Sequence, residues 1–131
     1  MNILVVDDDV DDLWIFTDAV KFIDPAIVCH PVTGCKEAFE RLENDELPDV
    51  IFLDINMPVM NGIDGLKTIR RNKKYDHISI TVMSTNILDE HSAACQKYGV
   101  GWFQKPSNFA DLVKHLRAVL DSLHFAAYDS L

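Results

Sequence analysis

Positive charge is scarce in this chain of 131 residues: 12 Lys and Arg stand against 21 Asp and Glu, a formal net charge of −9 with His neutral. Such a surface repels a phosphate backbone over most of its area, so direct nucleic-acid binding is not expected. The one basic cluster, Arg70-Arg71-Asn72-Lys73-Lys74, reads as a complement to a helix carboxyl end. Long apolar runs are missing too. None exceeds a few residues, against the roughly 20 a helix needs to cross a bilayer, so membrane insertion is not expected. The amino terminus, Met1 to Asp8, has no basic segment and meets acid at once, unlike a secretory signal. The expected location is cytoplasmic. Cysteine is sparse, and Cys29, Cys35 and Cys95 are odd in number and too widely spaced for a disulfide framework or paired zinc ligands. They read as reduced, packed thiols. His30, His77, His91, His115 and His124 show neither HExxH nor HxxxH spacing, and the glycine loops GxxxxGK and GxGxxG are absent, so a zinc hydrolase, a P-loop nucleotidase and a dinucleotide-binding module are all disfavoured.

What the chain does have is apolar residues, 48% of the total, in a length suited to one domain with one core. They follow one rhythm. A short β-branched run, Ile3 to Val6, is of the kind a strand buried on both faces requires. A helical pattern containing Val10, Leu13, Trp14, Phe16, Ala19 and Val20 follows it. The cycle repeats as Ala26 to His30 then Gly34 to Asn44, Val50 to Leu53 then Gly62 to Asn72, Ile78 to Met83 then Ile87 to Tyr98, and Gly101 to Phe103 then Asn108 to His124. Pro25, Pro48, Gly99 and Pro106 punctuate the joins. Asp9 is expected to cap the first helix and Asn86 the fourth, while Asp11 and Asp12 read as a solvated acidic face. Five βα units imply a parallel sheet with helices on both faces.

The polar residues gain meaning on that scaffold. Ligands of an open parallel sheet bind beyond the carboxyl ends of its strands. Asp7 and Asp8 end the first strand, Asp54 the third and Ser84 the fourth, and Lys105 follows the fifth, so all five point to one edge. Three carboxylates held together repel unless a cation sits among them, and an all-oxygen set favours Mg2+. Lys105 offers a point charge and Ser84 a hydroxyl to a phosphoryl group, which leaves one carboxylate as nucleophile. Asp54, alone between Leu53 and Ile55, is the best placed.

These residues resemble the receiver domain of two-component response regulators. The likeness rests on Val5-Val6-Asp7-Asp8, on Asp54-Ile55-Asn56-Met57-Pro58-Val59-Met60-Asn61-Gly62, on Ser84 and on Lys105-Pro106, in this order and spacing. It covers about residues 2 to 124. It implies an α/β flavodoxin-like (βα)5 fold with sheet order 2-1-3-4-5, a receiver domain over 1–124, and a C-terminal tail over 125–131 with no output domain. It implies that Asp54 accepts a phosphoryl group from a histidine kinase or phosphotransfer protein. Mg2+ would be held by Asp8, Asp54 and the backbone carbonyl of Asn56, with Asp7 reaching it through water. Ser84 and Trp102 would form the switch, standing where Thr and a Tyr or Phe are the commoner residues. A downstream protein would bind the face of the fourth helix, fifth strand and fifth helix, and the chain itself would be a monomer or weak dimer. A phosphorelay shuttle is the alternative. A haloacid-dehalogenase-like phosphatase is disfavoured, because Asn56 stands where that chemistry wants a second Asp, and enzymatic turnover is not expected. The need for Lys105 to point back at a phosphoryl group, together with the resemblance, leads to the expectation of a cis bond before Pro106, against a base rate of about 5–6%.

Overall fold

The computed structural model describes residues 1–44 and 46–129, of which 124–129 are described by backbone alone. Five strands and five α-helices alternate: β1 (Asn2–Val6), α1 (Val10–Ile23), β2 (Val28–Val32), α2 (Cys35–Asn44), β3 (Val50–Asp54), α3 (Gly62–Arg70), β4 (Ser79–Ser84), α4 (Asp89–Tyr98), β5 (Gly101–Gln104) and α5 (Phe109–Asp129). The strands pair in parallel in the order β2-β1-β3-β4-β5. The chain moves outward from β1 to β2, then crosses back over β1 to β3 and continues in the other direction. A right-handed crossover that reverses direction must change face, and so the helices divide between the two sides of the sheet.

Strand alternation supplies each side with its core. Leu4, Val6, Ile51, Leu53, Ile80 and Val82 point to the side covered by α2, α3 and α4, where they meet Leu42, Leu66, Ile69 and Cys95. Ile3, Val5, Val50, Phe52 and Met83 point to the other, against Leu13, Phe16 and Val20 of α1 and Val113, Leu116 and Leu120 of α5. Phe52 is wholly buried and meets Phe16 edge to face, with ring centroids 4.9 Å apart. Burying a side chain of this size contributes roughly 1.5–3 kcal/mol. The three cysteines are unpaired. Burial pushes the Cys29 thiol up to about 11 and raises those of Cys35 and Cys95, so all three are thiols at neutral pH.

Two local expectations are corrected and a third is extended. The second strand is Val28–Val32 rather than Ala26–His30, and it contains Pro31. A proline that cannot donate to the ladder is tolerated because β2 lies at the sheet edge. Asn86 does not cap α4: the cap position is Leu88, whose backbone N–H donates to His91 Nδ1 at 3.1 Å, and α4 starts at Asp89. Arg70 ends α3 and does more than complement its end. Its guanidinium donates to the carbonyls of Tyr75 at 2.9 Å and Ile78 at 2.7 Å, pinning the 3-10 turn that leads into β4. Asp9 caps α1 as expected, accepting from the N–H groups of Asp11 at 3.0 Å and Asp12 at 3.2 Å. Helix α5 runs to Asp129, five positions past the expected boundary at 124. Ser130 and Leu131 lie outside the described residues.

The loop from β3 to α3 is the tightest point of the fold. A Cβ on Gly62 would fall 2.2 Å from the carbonyl oxygen of Asp54 and 2.9 Å from the Cα of Ile55, both backbone atoms that cannot yield cheaply. Gly62 N–H donates to the Ile55 carbonyl at 3.0 Å, closing the loop on itself. Val59, at its tip, adopts φ 68°, a strained region for a β-branched residue, and is fully exposed there. Gly34, by contrast, has nothing within 4 Å of the same construction. Gly62→Ala is therefore expected to destabilise the fold by about 3 kcal/mol or more, and Gly34→Ala to stay within about 1 kcal/mol of the parent. Urea unfolding of both variants checks this, and equal midpoints would refute the close approach at Gly62.

Candidate functional site

Every residue singled out for chemistry sits at the carboxyl edge of the sheet. Asp7 and Asp8 follow the last residue of β1, Asp54 ends β3, Ser84 ends β4, and Lys105 follows β5. The side chains of Asp7, Asp8 and Asp54 each place an oxygen within 4.8 Å of the others. Asp7 is 2% exposed and Asp54 4%, whereas Asp8 opens to solvent. The rim is thus wet at Asp8 and dry beneath it.

Lys105 binds the cluster together. Its Nζ donates to Asp7 Oδ2 at 2.6 Å and to Asp12 Oδ2 at 3.1 Å, and lies 3.4 Å from Asp54 Oδ1. Burial works against the ammonium but is outweighed by the hydrogen bond it donates to Asp7 and by the charges of Asp54 and Asp7, which hold its pKa above the ordinary lysine value. The Lys105–Pro106 peptide is trans, since the described chain contains no cis bond, and this corrects the expectation. No reversal of the backbone is needed, because the Lys105 N–H extends the ladder to the Ser84 carbonyl at 2.7 Å and the long side chain itself returns to Asp7.

Asp7 spends both oxygens within the protein: Oδ1 accepts from the Asp9 N–H at 3.0 Å while Oδ2 holds Lys105. Ser84 is fully buried. Its Oγ accepts from Asn56 Nδ2 at 2.7 Å and from the Asn86 N–H at 3.2 Å, which leaves its own hydrogen to donate. Trp102 pairs across from Val82 in β5 and is 38% exposed. Its neighbour Phe103 points inward and stacks on His115, with centroids 5.5 Å apart.

Two residues in this network escaped the sequence reading. Asp12 was grouped with a solvated acidic face, yet it reaches Lys105 from the first turn of α1. Asp8 lies before the cap of α1, so no helical spacing links the two, and the contact of Asp12 with Lys105 spans 93 residues of sequence. Asn56 was considered for its carbonyl only, and its side chain proves to be the anchor of Ser84. The amide at that position carried no periodic signal that could have revealed the contact.

The architecture is that of a doubly wound parallel sheet whose charged crevice lies beside the point where strand order reverses. The family profile of the response regulator receiver domain matches residues 3–117, and the chain belongs to that family. It is 30% identical over 112 residues to a protein-glutamate methylesterase/protein-glutamine glutaminase of Methanococcus maripaludis, covering 86% of this chain and 30% of that protein. The chain spans between 10% and 39% of the length of the most similar curated relatives. Among solved structures it resembles the chemotaxis protein CheY4 of Vibrio cholerae, with TM-score 0.77, 28% identity, and coverage of 90% of this chain and 97% of that one. A two-component response regulator from Legionella pneumophila is similar at TM-score 0.79 and 26% identity, covering 93% and 98%. The receiver fold and sheet order expected from the sequence are therefore present, and no helix among the described residues is long and apolar enough to cross a membrane.

The electrostatics of Asp54 give a measurable consequence. Burial pushes its carboxyl up to about 7, opposed by Lys105 and reinforced by Asp7. A carboxyl whose folded pKa is raised binds its proton more tightly in the native state. Its contribution to stability is then fully present below the unfolded value of 3.8 and is lost as pH rises through about 7. Asp54→Asn keeps the shape without the charge, and Asp7 and Asp12 continue to hold Lys105. With divalent metal chelated, the variant is expected to melt a few degrees above the parent at pH 8, and the gap should shrink toward pH 4.5. Calorimetry across that range checks it; a gap independent of pH would contradict the burial of a charge at Asp54.

Proposed function

We propose that the chain is a phospho-acceptor switch in which Asp54 takes a phosphoryl group from a histidine kinase or a phosphotransfer protein. The observation that carries this reading is the placement of Asp54: a buried carboxylate 3.4 Å from the Lys105 ammonium, with Asp7 and Asp8 oxygens within 4.8 Å. The transfer is a displacement. An Asp54 oxygen forms a bond to phosphorus while the phosphorus–nitrogen bond of a phosphohistidine breaks, its electron pair returning to the imidazole nitrogen. With acetyl phosphate as donor the bond broken is phosphorus–oxygen, and acetate leaves. Asp54 must be ionised to attack, which its raised pKa opposes and the Lys105 charge assists.

The donor set fits a hard divalent cation, since it offers three carboxylates and neither sulfur nor imidazole. Asp8, Asp54 and the carbonyl of Asn56 would hold Mg2+, and Asp7, whose oxygens already serve Asp9 and Lys105, would contribute through water. When bound, the ion supplies positive charge to the carboxylates and to the arriving phosphoryl oxygens. Ser84 and Lys105 receive those oxygens, and Asn56, an amide engaged with Ser84, offers no acid to recycle the product. The reading is accordingly a switch rather than a turnover enzyme.

Phosphorylation adds about one negative charge beyond the carboxylate it replaces. Hydrogen bonds from Ser84 and Lys105 to a charged group contribute roughly 1.5–3 kcal/mol each, and inverting a 1:99 equilibrium takes about 5.5 kcal/mol. The two bonds together approach that figure. Moving Ser84 toward the phosphoryl group releases Asn56 and Asn86 and draws on the β4–α4 loop, and Trp102 on the adjoining strand reports the change. The surface of α4, β5 and α5 then presents a different face to a downstream protein.

Two parts of the reading are tested, the metal-assisted transfer to Asp54 and its coupling to the switch. Incubated with acetyl phosphate and Mg2+, the protein is expected to gain one phosphoryl mass that Asp54→Asn does not gain. Asp8→Ala should weaken Mg2+ binding more than Asp9→Ala, whose side chain caps α1. An Asp54→Asn variant that phosphorylates at the parent rate would remove Asp54 from its role. Secondly, Lys105→Ala is expected to phosphorylate yet lose most of the Trp102 emission change, read in a Trp14→Phe background. A full change in that variant would show that Lys105 does not link chemistry to switch.

A further inference from the structure

Lys105 has three N–H donors, and in this structure three different carboxylates face them. Two of those, Asp7 and Asp54, come from the strand edge that forms the floor of the site. The third, Asp12, comes from the first turn of α1 and lies on the solvent side, with its side chain 39% exposed. Its contact with Lys105 Nζ, at 3.1 Å, is shorter than the 3.4 Å from Nζ to Asp54 Oδ1. The ammonium is thus drawn between a floor where the phosphoryl group is to be bound and a helix that has no part in binding it.

We infer that Asp12 is a positioning residue that competes with the phosphoryl group for Lys105 and thereby biases the site toward its unphosphorylated state. The inference rests on the phospho-acceptor reading of Asp54 and concerns the regulation of that site. The physical argument is one of donor supply. A phosphoryl group on Asp54 needs a donor from Lys105 directed at its own oxygens, while Asp7 keeps its bond at 2.6 Å. The donor most easily transferred is the one given to the exposed carboxylate, where water replaces the lost partner. One N–H of Lys105 already faces Asp54, so a second donor for the phosphoryl oxygens has to come from Asp12, and the negative charge of Asp12 at the rim opposes the incoming anion as well. Asp12 is held where this competition occurs because its backbone N–H is fixed by the Asp9 cap at 3.2 Å. The cap orients the first turn, and the first turn aims the carboxylate.

The test uses beryllium trifluoride, which binds a carboxylate as a phosphoryl analogue, titrated calorimetrically into the whole chain at saturating Mg2+. Asp12→Asn is expected to bind it about two- to fivefold more tightly than the parent, the range appropriate to a partly exposed ion pair. Asp12→Glu, which restores the charge, should return to within about twofold of the parent. Asp11→Asn removes the same charge from the same turn of α1 and should leave the affinity unchanged, which separates contact with Lys105 from general electrostatics. Binding by the parent with no tightening in Asp12→Asn overturns the inference alone, and equal tightening in Asp11→Asn does the same. Absence of binding by parent and variants alike overturns the phospho-acceptor reading together with this inference.

Discussion

The ammonium of Lys105 among three carboxylates is the interaction on which the rest of this site depends. Asp7 and Asp54 are almost wholly buried, and buried carboxylates without a cation would be driven to protonate. Lys105 offsets that tendency in part. The result is a site that is poised rather than satisfied: Asp7 is paired at short distance, whereas Asp54, further from the ammonium, retains a pKa near neutrality. Asp54 is the buried carboxylate of the site that Lys105 satisfies less closely.

The sheet makes this arrangement possible with few residues. Parallel strands all end at the same edge, so one polar residue at the end of each of several strands converges without any long loop. The ladder also sets the spacing. Asp54 pairs with Met83 across β3 and β4, and Ser84 with Gln104 across β4 and β5, so Asp54, Ser84 and Lys105 stand at the carboxyl ends of successive strands. Gly62 completes the frame from the other side. Its missing Cβ allows α3 to begin against the backbone of Asp54 itself, fixing that residue from behind. The strain at Val59 is confined to the exposed tip of the same loop, where no packing is lost.

Much of this is legible in the sequence, and for physical reasons. Strands buried on both faces are near-continuous apolar runs, so Ile3 to Val6 and Val50 to Leu53 announced themselves, and their ends located the site. The edge strand did not, because Val28–Val32 is only partly buried and carries His30 and Pro31, so its pattern shifted by two residues. Asp7, Asp8, Asp54, Ser84 and Lys105 were legible because each follows directly from a strand end. Asp12 and the side chain of Asn56 were not. Their roles depend on tertiary contacts 93 and 28 residues distant in sequence, for which local pattern carries no information. The conformation at Pro106 failed for a related reason: a long lysine side chain can make the return journey that a turn was invoked to make.

The acidity of the chain has a local counterpart that explains why metal and phosphoryl group should act together. Asp7, Asp8, Asp12 and Asp54 with Lys105 leave the site at a formal charge of −3, a third of the net −9 of the whole chain. An anionic phosphodonor approaching such a site alone is repelled. A divalent cation reduces the deficit to −1, after which one added phosphoryl charge returns the site only part of the way toward its starting value. Neither partner is accommodated well without the other: the cation lacks a ligand from the phosphoryl group, and the phosphoryl group lacks a counter-charge beyond one shared ammonium. On the phospho-acceptor reading proposed above, the surplus of acid would act as a gate, keeping Asp54 inert toward anionic donors without metal and making charge balance, rather than shape alone, the quantity that Ser84 and Lys105 pass to the rest of the fold.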